Sequence, residues 1–177
     1  MAVAAVVLAA GAASRFGSPK QRLLLPGVLE RVRSAGIDEI VVVLGAHAAE
    51  ADVRVVACPD WELGPGASLR CGLAALSDEA EAAVVVLADG PDLAGAAIGR
   101  VIAAWRHHYA QVVAASYGGV RGHPVVLARS AWGDVPDEGL RGLAPLLVPC
   151  DDLGSPGDVD VPADLPKRFR NRADEPM

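Results

Sequence analysis

Aromatic side chains are scarce, at 4% of 177 residues, although 52% of the chain is hydrophobic. Ala, Val, Leu and Gly carry the apolar content, which fits either a compositional bias or close helix–sheet packing. Positive charge is also in deficit. A net charge of −6 and a pI of about 5.1 give no field for a polyanion, so nucleic acid is not an expected partner. A small anion is a different matter, because a few local donors decide its binding. The basic run Lys167, Arg168, Arg170 and Arg172 reads as a solvated tail, which sets one domain over 1–166 and a tail over 167–177. Cysteine is limited to Cys58, Cys71 and Cys150, an odd count without a CxxC pair. The expectation is free buried thiols in a reducing cytoplasm. Long hydrophobic runs are missing too. The opening MAVAAVVLAAGAASR is too short to span a bilayer and lacks a basic leader, so it reads as a first core strand and no membrane is expected. Internal repeats and low-complexity linkers are absent, and the length suits one domain.

Short continuous apolar runs mark buried strands at Val3–Ala9, Glu39–Leu44, Val53–Ala57, Ala82–Ala88, Gln111–Ala115 and Pro124–Leu127. Helical stretches alternate with them at Val28–Ala35, Ser68–Leu76 and Ile98–Tyr109. The alternation predicts an α/β fold in three layers, with a mostly parallel, Rossmann-like sheet covered by helices on both faces. The loop-rich stretches Gly133–Gly142 and Asp151–Pro162 belong at its rim. Ligands of such sheets sit beyond the carboxyl ends of the strands, so the residues that follow each strand are the ones to read.

The first strand runs into LAAGAASRFGSPKQRLL, Leu8 to Leu24. Neither GxGxxG nor GxxxxGK[ST] is present. Small residues nevertheless let backbone N–H groups approach a ligand, and Arg15 and Lys20 add two cations. Such a loop is either a glycine-rich turn with exposed cations or a cradle for phosphate oxygens. The run Ala82–Ala88 ends in Asp89. A carboxylate there is placed to hold a divalent cation bridging phosphates, or to cap the next helix, a role that Asp92 fits better. In GDVDVPADL, Gly157–Leu165, Asp158 and Asp160 alternate along extended chain and face one way. Either both point at one ion or one of them bonds the backbone; Asp164 reads as a first-turn helix charge. Ser68, in WELGPGASLRCGL, caps the following helix or donates to a nucleotide, and Gly66 permits a close approach. His123, in GVRGHPVVL, opens a strand before Pro124 and is either structural or a donor to a phosphate. Arg141, in DEGLRGL, is a candidate anion ligand. No catalytic dyad is evident.

Together these segments resemble the nucleotidyltransferases that include the molybdenum cofactor cytidylyl- and guanylyltransferases (MobA-like) and the sugar-phosphate nucleotidyltransferases. The matching pieces are LAAGxxxRxGxxK at the first loop, DxPxL at Asp89, a DxDTPxDL-like box with Val161 in place of Thr, and the G-x-G-x-S-L, R-G-H-P-V and D-x-G-x-R segments. Their order matches and they span Leu8 to Leu165. Two departures stand out. The stretch between Lys20 and Ala35 is shorter by roughly two or three helical turns of ~3.6 residues, and Cys58 stands where Asn often precedes the Pro.

The resemblance implies the nucleotide-diphospho-sugar transferase type of fold and a nucleotidyl transfer that releases pyrophosphate. It implies Arg15, Lys20 and Asp89 as catalytic groups. Leu8, Ala9, Ala10, Gly11, Ser68 and those three would bind the nucleotide, and Asp89 with Asp160 or Asp158 would bind Mg²⁺. His123 and Arg141 would bind the acceptor. CTP as donor and molybdopterin as acceptor follow from the cytidylyltransferase branch, with docking to a molybdoenzyme or its chaperone. The rivals are GTP as donor, another acceptor such as a sugar phosphate or methylerythritol phosphate, and a non-catalytic relative that binds a nucleotide or a partner.

Overall fold

A computed structural model describes the backbone of residues 1–11 and 20–173 and the side chains of 1–11 and 23–170. The strands are β1 (Val3–Ala9), β2 (Ile40–Leu44), β3 (Arg54–Ala57), β4 (Ala82–Leu87), β5 (Val112–Tyr117), β6 (Val120–Ala128) and β7 (Leu146–Pro149). The helices are α1 (Lys20–Ser34), α2 (Pro65–Ala74), α3 (Gly95–His108) and α4 (Lys167–Ala173). One sheet takes all seven strands in the order β3-β2-β1-β4-β6-β5-β7. Among the described strands only β6 runs antiparallel to its neighbours, β4 and β5. The mostly parallel α/β fold expected above is the one found.

Alternation along each strand builds two cores. Ala5, Val7, Val42, Val84, Val86 and Val126 face one way, onto Leu25, Val28 and Val32 of α1 and Ile98, Val101 and Trp105 of α3. Ala4, Val6, Val41, Val43, Val85 and Val125 face the other way, onto Leu69 and Leu73 of α2 and onto Ala131, Val135 and Leu140. The small-residue composition has a packing role in this second layer. A Cβ on Gly72 would lie 2.5 Å from Val6 Cγ1 and 2.8 Å from Val43 Cγ2, so α2 sits as close to β1 and β2 as glycine allows.

Local details differ from expectation. The first helix starts at Lys20, not Val28, and carries Pro26 inside it. Pro26 is exposed, so its ring turns away from the core although its missing N–H interrupts the ladder. Cys58 and Cys71 are joined as a disulfide, Cα atoms 5.9 Å apart, tying the end of β3 to α2; Cys150 alone is a free, buried thiol. Leu146–Pro149, outside the apolar runs noted above, forms the parallel edge strand β7 beside β5, where a terminal proline is tolerated. The basic segment forms the short helix α4, on which Lys167, Arg168 and Arg170 are exposed and Phe169 packs beside Leu24, Val159 and Leu165. Among the described residues no helix is long and apolar enough to cross a membrane.

Candidate functional site

The chain leaves β1 outward to β2 and β3, then returns to β4 on the other side of β1. This reversal makes the carboxyl ends of β1 and β4 the switch point of the sheet, where a cleft forms. Leu8 and Leu87 are paired there, and the Ala88 N–H donates to Leu8 O at 3.0 Å. Ala9 and Ala10 are buried at the end of β1 and Gly11 is exposed. Because β6 is antiparallel, its beginning reaches this same end. Its pairing with β4 covers only Val125 to Ala128, and its register against β5 shifts between Ala114 and Ser116. Gly122, His123 and Pro124 fall in that irregularity, which re-aims strand residues as bulges do. The strands therefore part, and two cavities open at the split.

The larger, about 380 Å³, is lined by Leu8, Leu69, Leu87, His123, Glu138 and Arg141, among others. The smaller, about 290 Å³, is lined by Gly90, Leu93, Ser155, Pro156 and Asp158 among others. Leu87, Arg121, Gly122 and His123 wall both. His123 and Arg141, expected to bind an acceptor, thus border one space.

The Asp89 turn is held from several sides. Arg31 Nη1 donates to Pro91 O at 3.1 Å and Leu93 O at 2.9 Å. Arg168 Nη2 donates to Pro91 O at 2.8 Å and to Asp92 Oδ1 at 2.7 Å. The Asp92 N–H donates to Pro156 O at 2.8 Å, which joins the turn to the Asp158 loop. Asp89 is partly buried. Asp92 does not cap α3, whose N-cap is Ala94; it serves Arg168 instead. Val159 is buried against Leu24 and Leu165, so the Asp158–Asp160 segment packs on α1 one turn beyond Lys20. Asp158 is exposed and lines the smaller cavity; Asp160 is partly buried and is not among the described lining residues. Asp164 sits in a 3₁₀ turn, not an α-helix, and its Oδ2 accepts from the N–H groups of Asp160 and Val161 at 3.1 and 3.0 Å.

Ser68 is buried in the second turn of α2, three residues past Pro65, so it is not the cap; Gly64 occupies that position. Gly66 does make a close approach, but to protein: its N–H donates to Asp137 O at 3.0 Å. Arg70 adds bonds to Val135 O at 2.9 Å and Asp137 Oδ1 at 2.7 Å. Together they fix the segment that carries Glu138 to Arg141. Arg15 lies outside the described residues, as does the Lys20 side chain.

Burial, with the charges of Arg121 and Arg141, pushes His123 down to about 4, against a smaller opposing pull from Asp89. It is neutral near pH 7 and offers one ring N–H as donor. Tyr117 Oη donates to His123 O at 2.9 Å and steadies its backbone. The depressed value has a stability consequence. Between pH 6.5 and about 4 the unfolded chain takes up a proton that the folded chain refuses, so stability falls as pH falls through that window. From pH 7 to 5 the wild type is expected to lose about 2 kcal/mol more than His123→Gln does, measured by urea unfolding at both pH values. Equal losses would contradict the shift.

Sequence reading missed Arg121, Arg31 and Arg168. The alternation that places Arg121 two residues before His123 on one strand would have found the first. The other two act through backbone carbonyls far away in the chain and left no local signal.

The family model of the MobA-like NTP transferase domain matches residues 5–147. A search of curated proteins returned no match. Among solved structures, the Rv0371c protein of Mycobacterium tuberculosis H37Rv is 28% identical with a TM-score of 0.76, over 97% of this chain and 98% of that one. A manganese complex of Rv0371c from the same strain aligns at 26% identity and TM-score 0.68, over 98% and 97%. The molybdopterin-guanine dinucleotide biosynthesis protein A of Archaeoglobus fulgidus, 17% identical, shares the fold at a TM-score of 0.70, over 98% of each chain.

Proposed function

We propose, from the premise that the chain belongs to the MobA-like NTP transferase family and is a nucleotidyltransferase, that it transfers CMP from CTP to molybdopterin. The observation that carries a two-substrate reading is the pair of adjoining cavities at the β1/β4 switch point, divided by Arg121, Gly122 and His123. The side bearing the Asp89 turn and Asp158 suits a metal-bound triphosphate. The side bearing Arg141 and His123 suits an anionic acceptor.

Leu8 to Gly11, with Ser68, Arg15 and Lys20, would hold the nucleotide. An oxygen of the acceptor's phosphate would attack the α-phosphorus. That P–O bond forms as the bond from the α-phosphorus to the bridging oxygen breaks, and pyrophosphate leaves with the electron pair. A phosphate monoester is already anionic near neutral pH and needs no general base, which fits a sequence in which no catalytic dyad is evident. Arg15 and Lys20 would stabilise charge that builds on the phosphoryl oxygens.

Among the described residues no group of three or more acidic, histidine or cysteine side chains gathers for a metal. The donor set that remains, Asp89 with Asp160 or Asp158, fits Mg²⁺, which binds through one or two carboxylates and completes its shell with phosphate oxygens and water. Such an ion supplies Lewis-acid stabilisation of the triphosphate. The manganese complex of a relative supports divalent metal use here. Delivery of the product to a molybdoenzyme or its chaperone, and residence in the cytoplasm, belong to the same reading.

Pyrophosphate release measured with CTP, GTP, UTP and ATP, with and without molybdopterin, tests it. Release should require CTP, the pterin and Mg²⁺ together. Preference for GTP would overturn the donor, release with a sugar phosphate or methylerythritol phosphate alone the acceptor, and no release with any pair the catalytic reading.

A further inference from the structure

Five arginines of the described chain, Arg33, Arg70, Arg100, Arg129 and Arg168, pair with an aspartate at 2.6 to 2.9 Å. Arg121 does not. Its Nη1 donates to Leu143 O at 2.7 Å. Its Nη2 is buried and has no hydrogen-bond partner among the described residues. Burial holds the guanidinium below its usual range, yet it stays charged at neutral pH because arginine does not give up its proton in proteins. A sheltered cation without a counter-charge is costly and persists where something outside the fold supplies the anion.

The location says which anion. Arg121 walls both cavities. In the smaller one Asp158 favours an anion that carries a metal ion over a bare phosphomonoester. In the larger one Arg141 adds charge of the same sign as Arg121, and neutral His123 adds a donor without drawing away the negative charge; Glu138 is the one carboxylate among its described lining residues. We infer that Arg121 is the specificity-determining cation for the acceptor, holding the phosphomonoester of that substrate in the larger cavity together with Arg141 and His123. The inference rests on the reading of the chain as a nucleotidyltransferase with a phosphorylated acceptor. Because Nη2 is closed to solvent, the coupling is first electrostatic, through a low-dielectric wall that screens little.

Two measurements test it. In turnover with CTP, molybdopterin and Mg²⁺, Arg121→Met should raise KM for the pterin about tenfold, the scale of one lost charge acting across a few ångströms of low-dielectric wall, and move KM for CTP by no more than about twofold. Arg121→Lys should recover part of the loss. A matching rise in KM for CTP, or no change in either constant, overturns the assignment.

If the wild type does not turn over that pair, the substrate reading fails, and the second measurement decides Arg121 by itself. Inorganic phosphate is titrated into wild type and Arg121→Met while the His123 imidazole resonances are followed. Phosphate should shift them in the wild type, with affinity at least about tenfold weaker in the variant. Equal affinity in both chains overturns the inference. Arg121→Met also loses the bond to Leu143 O, so urea unfolding of the variant is measured alongside, and a midpoint near that of wild type separates lost binding from lost folding.

Discussion

Asp89→Ala is expected to lower turnover on the order of 10³-fold, in line with the loss of a preorganised charge-stabilising group, while the thermal midpoint stays near that of the wild type. The fold should survive because the backbone of the turn is also held by bonds that do not involve the Asp89 side chain. The Ala88 N–H bonds Leu8 O, the Leu93 N–H bonds Gly90 O at 3.2 Å, and Arg31 and Arg168 hold the carbonyl of Pro91. The activity should fall because Asp89 is the proposed metal ligand at the mouth of β4. Asp89→Asn keeps the shape and removes the charge, so it should show the same loss with a raised Mg²⁺ requirement. A purely structural role would give the opposite pair, an altered midpoint with an unaltered metal requirement. Unchanged turnover in Asp89→Ala at saturating Mg²⁺ would refute the assignment. His123 reports independently: Asp89 pulls its pKa upward, so the alanine variant should titrate lower still.

The strands were legible because burial on both faces leaves continuous apolar runs, and β1 was read to the residue, Val3–Ala9. The helices were legible where an apolar face repeats. The start of α1 was not, because Pro26 argues locally against a helix that Leu24, Leu25 and Val28 stabilise by packing. β7 hid because it is short, half exposed and ends in proline. Cys58 and Cys71 are separated by 13 residues, and their proximity follows from α2 folding back over β2 and β3, which no local spacing encodes.

At the site, the acidic ends of strands could be read one by one. Their convergence could not, since it depends on the order in which β1, β4 and β6 lie together. The irregularity of β6 is the clearest case. Pro124 hinted at it, but the pairing that ends at Val125 is what turns Gly122 and His123 into a shared wall.

Gly66→Ala should destabilise the protein by about 2–4 kcal/mol, the sum of an overpacking penalty and one lost backbone hydrogen bond. The added Cβ would stand 1.8 Å from Pro136 O, 2.8 Å from Pro136 C and 2.9 Å from Asp137 C. All three are backbone atoms, so no side chain can swing aside, and the 136–137 segment itself must move. That movement breaks the Gly66 N–H bond to Asp137 O and strains the two bonds from Arg70. It also displaces the wall that runs from Glu138 to Arg141, so any acceptor KM should rise with the loss of stability. Gly99→Ala is the matched control. Gly99 is exposed in α3 with nothing within 4 Å of an added Cβ, and alanine there should stabilise by about 0.5–1 kcal/mol. Urea midpoints of the two variants should therefore move in opposite directions from wild type. If Gly66→Ala unfolds at the wild-type midpoint, the close seat of α2 on the 136–137 segment is wrong, and with it the geometry of the larger cavity.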